Sequence, residues 1–413
     1  MNVTALSVAA LLLATGCSTY AEDSLAELIA EAESNNAQVL AAEHSWRAAT
    51  YVARQMTALP DPQFMLQQFS VGSPRPFAGF TNSNFAYIGF GASQELPYPG
   101  KLRLKGQVAK RQADTERAQA GALRASIAEQ VKTAYFHLAY LQQTLTVLER
   151  SGATLKRLAD SELSRYRVGQ GSQADVLKAQ LEHTKLLREI TMHHAEMAEA
   201  QADLKLLLHR GQESPDIAAR SLTATTLSYS ASELLALVRE RNPAVQTMAM
   251  ALKKQDAQLQ SAEKGGKPDF GLGYMFQQTG DAYRDYYMLT FNMTLPRRQR
   301  IHAEIAEAAE LQSRAKEELD AQLRQQRAEV QKQYVAASSA AELLTEYREG
   351  LIPQAEAAFR AELTAYQSNK EQLSSVLVSL NEMLSIERER EQAVLDREIA
   401  IARLETLTGA ILR

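Results

Sequence analysis

The sequence predicts a mainly α-helical fold with a small β part, and three observations carry that prediction. The chain repeats itself at an offset close to 200 residues. Each repeat holds a helical run of about 70 residues whose apolar positions recur every 3.5. Each also holds a short hairpin of alternating strands rich in aromatic side chains. With 413 residues, 45% hydrophobic and 23% charged, the composition sits near the average for soluble chains. The net charge of −4 leaves no broad basic field for nucleic acid.

The chain opens on a targeting segment. Residues 5–13 are an apolar core too short to span a bilayer, followed by small residues that end at Cys17. Residues 1–16 therefore read as a signal peptide. The stretch Ala14-Thr15-Gly16-Cys17 resembles a bacterial lipobox, which implies a lipid anchor at Cys17. Ser18, not Asp, follows it; in lipoproteins of that kind this implies sorting to the outer membrane. An ordinary signal peptide with an incidental cysteine is the alternative. Cys17 is the only cysteine, so no intrachain disulfide or cysteine-based metal cluster can form.

Two units follow, 17–220 and 221–413. "SLAELIAEAESNNAQVL" at Ser24 matches "SASELLALVRERNPAVQ" at Ser230. Val131 and Tyr135 fall on Val330 and Tyr334, offset by 199, and Tyr166, Val176 and Leu177 fall on Tyr366, Val376 and Leu377, offset by 200. So little drift marks a tandem duplication. Each unit predicts a helix of about 35 residues (24–58, 230–264), a Pro/Gly-marked hairpin, a very long helix (100–168, 297–367), a tight turn, and a returning helix (173–210, 372–412). At 1.5 Å per residue the long helix reaches roughly 105 Å.

On it Ile127, Val131, Ala134, Leu138, Leu141, Leu145 and Leu148 alternate steps of four and three, the rhythm of left-handed coiled-coil packing. Leu187, Ile190, His194, Met197, Gln201, Leu204 and Leu208 set the same rhythm on the returning helix. Ser151-Gly152 and Pro353 predict kinks at matching points.

In the hairpins, Phe270, Leu272, Tyr274 and Phe276 share one face of a strand; Tyr287, Leu289, Phe291, Met293 and Leu295 share one face of the next. Ala86, Ile88, Phe90 and Ala92 do so in the first repeat, and "PQFMLQQFSV" fits least well. Strands of about ten residues suit a tilted transmembrane strand. A soluble antiparallel sheet alternates in the same way. Four strands cannot cross a membrane alone, because their edges leave unpaired backbone groups in hydrocarbon. Three copies supply twelve strands, enough to leave an opening. The expected fold class is therefore a homotrimer: a shared 12-stranded β-barrel continued by a hollow α-barrel of long helices. Loop 71–82 then faces outside, and 211–230 joins the repeats across the middle of the helices.

The order helix, hairpin, very long helix and return, twice over, resembles the TolC-like outer-membrane efflux family across nearly the whole mature chain. "RYRVGQGSQADVLKAQ" is similar to that family's helix-tip signature, and "GLIPQAEAAF" to its long-helix pattern. "QELPYPGKLRLKG" (94–106) further resembles the heavy-metal, CzcC/CusC-like branch. The resemblance implies the passive exit duct of a tripartite RND-type efflux system, set in outer-membrane lipid and reaching into the periplasm. Its partners would be an adaptor protein and an inner-membrane pump, and its first substrate class heavy-metal cations. A drug-efflux or type I secretion channel is the alternative within the family. A lipid-anchored periplasmic coiled-coil scaffold is the alternative outside it, although a scaffold has no use for aromatic-faced hairpins.

The resemblance also implies a tip gate and adaptor contact built from Arg165, Tyr166, Gly169, Gly171, Asp175, Lys178, Tyr366, Asn369, Glu371 and Ser375. It sets Asp175 against Tyr366 as a latch. Glu371 stands where the family has Arg, and Ser375-Val376-Leu377-Val378 where it often has D-V-L-D. A second acidic ring is therefore missing, which implies a looser resting gate.

No catalytic triad order, phosphate loop or zinc spacing stands out, so neither an enzyme nor a cofactor is expected. Gly169-Gln170-Gly171 follows no strand and is not a phosphate loop. Met192, His193, His194 and Met197 invite a metal reading, but adjacent histidines on a helix point about 100° apart. The favoured reading is a seam or surface position. "ERERE" (387–391) reads as a solvated helix face.

Overall fold

Both repeats begin with two helices where the sequence predicts one. The computed structural model describes residues 24–70, 86–279 and 285–412. Cys17, the signal segment and loop 71–82 lie outside the described residues. Helices α1 (Leu25–Asn35) and α2 (Ala37–Thr57) part at Asn36; α5 (Ala231–Arg241) and α6 (Pro243–Gly265) part at Asn242. The two asparagines do the same work. Each accepts backbone N–H groups of the second helix on its side-chain oxygen, Asn36 from Gln38 and Val39 and Asn242 from Val245. Each also donates its amide to a carbonyl near the end of its own repeat's return helix, Leu207 at 3.2 Å and Leu407 at 2.8 Å. An N-cap inside an apolar rhythm thus splits the helix and ties its break to the far end of the repeat.

Strands β1 (Gln63–Phe69), β2 (Tyr87–Leu96), β3 (Asp269–Thr279) and β4 (Asp285–Thr294) form one antiparallel sheet in the order β1-β2-β3-β4. The hairpins of the two repeats therefore lie side by side. The register aligns Leu66, Phe90, Phe276 and Tyr287 across all four strands, with Phe64, Ala92, Tyr274 and Leu289 in the next row. Side chains on this face are bare: Phe64 is 81% exposed, Leu289 72% and Phe291 66%. The other face is closer packed, with Met275 and Gln277 buried. Gly91 lies there so near β3 that a Cβ would come within 2.7 Å of the Tyr274 carbonyl, so only glycine allows this close approach of β2 to β3. The outer edges of β1 and β4 pair with no strand among the described residues. No described helix is long and apolar enough to cross a membrane.

The sheet is welded to the helices at Asp269. Its carboxylate accepts the Tyr98 N–H and the Lys101 ammonium, each at 2.8 Å, and Lys101 also donates to the Lys267 carbonyl at 2.7 Å. Lys264 lies over the Tyr98 ring. Both strand–helix junctions therefore move as one.

Helix α3 (Lys101–Arg167) has 67 residues, about 100 Å of unbroken helix. Ser151 and Gly152 cause no break; both are buried where α3 packs on α4 (Gln173–Leu207). In repeat two the matching path is α7 (Arg298–Glu346), a π-turn (Tyr347–Leu351) and α8 (Ile352–Gln367), followed by the return helix α9 (Leu373–Thr408). The π-turn explains the drift in offset from 199 to 200, because one extra residue is absorbed there. Pro353, which lacks an N–H, lies just beyond it.

Ile127, Val131, Leu138, Leu141 and Leu148 are buried, as their spacing predicts. On α4 Ile190, Met197, Gln201, Leu204 and Leu208 pack inward as their spacing predicts, but Leu186 and His193 are buried in place of Leu187 and His194, which face outward.

Residues 211–230 run across the helices without regular structure and are strapped down throughout. The Gln201 amide brackets Ile217, donating to its carbonyl at 2.8 Å and accepting its N–H at 3.0 Å. The buried Lys205 ammonium binds the Ser214 carbonyl and Asp216. Tyr135 Oη accepts the Arg220 N–H. Glu398 accepts both the N–H and the hydroxyl of Thr225, and Arg397 bridges the carbonyls of Thr225 and Ala337. Gln201→Ala should leave the buried Ile217 amide groups unpaired and cost about 2–4 kcal/mol. Urea unfolding followed by helical circular dichroism would read this loss, and a shift below about 0.5 kcal/mol would show that the strap is dispensable.

Candidate functional site

The end of the helical body farthest from the sheet is built from two similar turns. After α3, the Gly169 N–H bonds the Tyr166 carbonyl and the Gln170 N–H the Arg165 carbonyl, at 3.0 and 2.8 Å. After α8, Asn369 and Lys370 do the same to Tyr366 and Ala365. These paired bonds close a helix with a left-handed residue, and both Gly169 (φ +74°) and Asn369 (φ +56°) adopt that conformation. Gly171 folds the chain back against Arg165 and Tyr166. Leu373, Val376, Leu377 and Leu380 of α9 then bury themselves against Leu155 and Ala159 of α3.

Of the residues expected at the gate, the structure brings three together. The Arg165 guanidinium stacks 4.9 Å over the Tyr366 ring and donates to Asn369 Oδ1 at 2.6 Å. Asn369 therefore serves both as the left-handed residue of its turn and as an anchor for the other repeat.

The carboxylate that acts most strongly on the Tyr366 phenol is Glu162, and Asp175 contributes less. Burial first, and then the Glu162 charge, push the Tyr366 phenol well above its ordinary range. It stays a neutral donor throughout physiological pH. The contribution of the neutral phenol is complete below the unfolded tyrosine value of about 10 and is lost only as pH rises through the higher folded value. Glu162 is itself buried, and its Oε1 has no partner among the described residues.

Asp175 serves its own helix. Ser172 Oγ accepts the Asp175 N–H at 3.1 Å and donates to its carboxylate at 2.6 Å, which caps α4. Helix α9 lacks this cap: Gln372 makes no capping bond, its Oε1 accepting from Ser374 Oγ at 3.4 Å, and Ser375 Oγ turns to Glu371 at 3.4 Å. Tyr166 and Lys178 are exposed. Glu162 was readable as "ELSRY" beside "AELTAY" in the second repeat, a carboxylate one turn before each tip tyrosine.

The Met–His stretch does not converge. His193 is buried with Nδ1 on Glu196 at 3.1 Å, and burial holds it below the ordinary histidine range. His194 and Met192 point outward. Among the described residues no three His, Cys, Asp or Glu side chains gather as a metal site.

This geometry has relatives. Residues 28–209 match the family model described as outer membrane efflux protein. No curated protein matches the chain in sequence. Among solved structures, the outer-membrane channel OprN is 18% identical with a TM-score of 0.80, over 94% of this chain and 90% of that one. CusC, described through its transmembrane channel formation, is 16% identical with a TM-score of 0.80, over 95% and 93%. VceC, an outer membrane protein of Vibrio cholerae, is 17% identical with a TM-score of 0.79, over 94% and 97%. The whole described chain thus has the fold of these proteins, sheet and long helices together.

Asn369→Val forces a β-branched residue into the left-handed conformation and removes the anchor of Arg165. It should cost about 1–3 kcal/mol, against a few tenths for Asn369→Gly, which keeps the turn. Limited proteolysis at the tip would separate them; equal sensitivity would show that Asn369 carries no load.

Proposed function

We propose that this chain is one subunit of an outer-membrane efflux channel, which passes substrates from periplasm to exterior without catalysis. The observation that carries the reading is the bare aromatic face of the sheet, one side chain deep and four strands wide, set on helices about 100 Å long. Such a face is stable in hydrocarbon and costly in water. The unpaired edges of β1 and β4 call for further copies, and three close a barrel of twelve strands. The helices then form a periplasmic duct whose far end meets an adaptor and, through it, an inner-membrane pump. Lipid at Cys17 adds a second hold on the membrane. Heavy-metal cations are the proposed cargo, supported by the likeness of junction 94–106 to the heavy-metal branch. The purified protein, extracted in detergent, should have the mass of three copies and conduct ions across planar bilayers. A monomer without conductance would overturn the reading. Cys17→Ser should abolish fatty-acid labelling and leave the protein membrane-bound; unchanged labelling would refute the anchor. Deletion of the gene should raise sensitivity to divalent metals, and unchanged sensitivity would refute the cargo.

The tip is the proposed gate. Arg165 holds the two helical pairs of one chain together through Asn369 and the Tyr366 ring, with Glu162 beside that phenol, and a charge-assisted bond such as Arg165–Asn369 is worth about 1.5–3 kcal/mol. Tyr366→Phe and Glu162→Gln should each raise the resting conductance, and the double variant should add little to either. Asp175→Asn should leave it unchanged, because that carboxylate caps its own helix. A rise with Asp175→Asn alone would show that the latch is the other pair.

A further inference from the structure

The side of the sheet opposite the bare aromatic face has a composition of its own, which shows when residues are taken in rows across the four strands. One row is Gln63, Ser93, Gly273 and Thr290; another is Gln67, Gly89, Gln277 and Tyr286. Between them run Met65, Gly91, Met275 and Met288. The inner wall of a water-filled barrel is polar, and both flanking rows keep to that. The middle row does not. Three of its four places hold methionine, and the fourth holds no side chain.

The register brings the thioethers together. Adjacent strands lie about 4.8 Å apart, so Met275 and Met288 are immediate neighbours, and Met65 faces Met275 across Gly91. A Cβ on Gly91 would come within 3.2 Å of Met275 Cβ, so nothing at Gly91 separates the two side chains. Two of the sulfurs are held from the next row. Gln277 Nε2 donates to Met275 Sδ at 3.1 Å, and Gln67 Nε2 to Met65 Sδ at 3.8 Å. A thioether sulfur has two lone pairs, so each keeps one for a further partner. Core packing does not account for the row. Methionine fills gaps in interiors, whereas Met288 is 39% exposed and Met65 only half-buried. No carboxylate or imidazole stands among the four. Thioethers are soft, uncharged donors that suit Cu(I); carboxylates and carbonyls suit hard divalent ions.

We propose that Met65, Met275 and Met288 bind soft monovalent metal ions, Cu(I) or Ag(I), through their thioethers. This rests on the reading of the chain as a channel whose lumen this face lines, and it adds one class of ion to the proposed heavy-metal cargo. Three copies set the row into the wall three times. Conduction needs sites that an ion can leave as well as enter, and uncharged thioethers provide such sites.

Methionine oxidation, read residue by residue by mass spectrometry, tests the site. The purified full-length protein is treated with hydrogen peroxide in chloride-free nitrate buffer, with and without Ag(I). Ag(I) should slow the oxidation of Met65 and Met288 several-fold and leave that of Met56, exposed on α2, unchanged. Met275→Leu nearly keeps the volume and removes the central sulfur, so the protection of Met65 and Met288 should fall. Zn(II) in place of Ag(I) should protect neither. Protein of three-copy mass in which Met65 and Met288 gain no protection, or no more than Met56, overturns the site and leaves the channel. Full protection in Met275→Leu overturns the shared row. Equal protection by Zn(II) overturns the preference for soft ions. A single-copy mass overturns the channel reading, and with it the lumenal face on which the site depends.

Discussion

Everything in this fold answers to the unpaired edges of one four-stranded sheet. A strand edge left bare in hydrocarbon exposes a row of N–H and C=O groups, each costing several kcal/mol. Here β1 and β4 are those edges, and the sheet between them carries Phe64, Leu66, Phe90, Tyr274, Leu289 and Phe291 outward. Such a sheet is finished neither alone nor in water. The side-by-side hairpins, the close approach at Gly91 and the weld at Asp269 hold its four strands as one unit on the helices.

The helices extend the same logic away from the membrane. The apolar rhythm of α3 needs a neighbour on each side, and the duplication supplies one within the chain and leaves the other open. Two devices keep helices of this length in step. Asn36 and Asn242 tie the breaks near the start of each repeat to the ends of α4 and α9. The 211–230 segment is bound through Gln201, Lys205, Tyr135, Glu398 and Arg397, which fixes α3, α4 and α9 against one another. At the tip those ties are absent, and a few side chains decide how firmly the helices meet.

Much of this was legible in the sequence because it rests on period. Twofold alternation in the strands and the 3.5-residue rhythm of α3 gave each element its buried face, and the repeat offset gave the order. What was not legible depends on single residues whose partners lie far along the chain. Asn36 reads as a polar residue in a helix until Leu207 is placed beside it. The π-turn left a trace only as a change of offset from 199 to 200. On α4 the apolar pattern could not separate Leu187 from Leu186, identical side chains, and only the place of Leu186 beside Gly152 of α3 decides which is buried. At the helix tips, the expected partner of Tyr366 was Asp175, a residue engaged by its own helix cap; Glu162, one turn before Tyr166 on α3, acts more strongly on the phenol.

The central claim is that one face of the sheet meets lipid and the other meets water. Cysteines placed singly along β4, from Tyr287 to Thr294, labelled with a polarity-sensitive dye in the assembled protein in vesicles, would read it directly. The account predicts period-two alternation: Tyr287, Leu289, Phe291 and Met293 quenched from the lipid phase, and Met288, Thr290, Asn292 and Thr294 from the aqueous phase. Aqueous quenching at every position would contradict it.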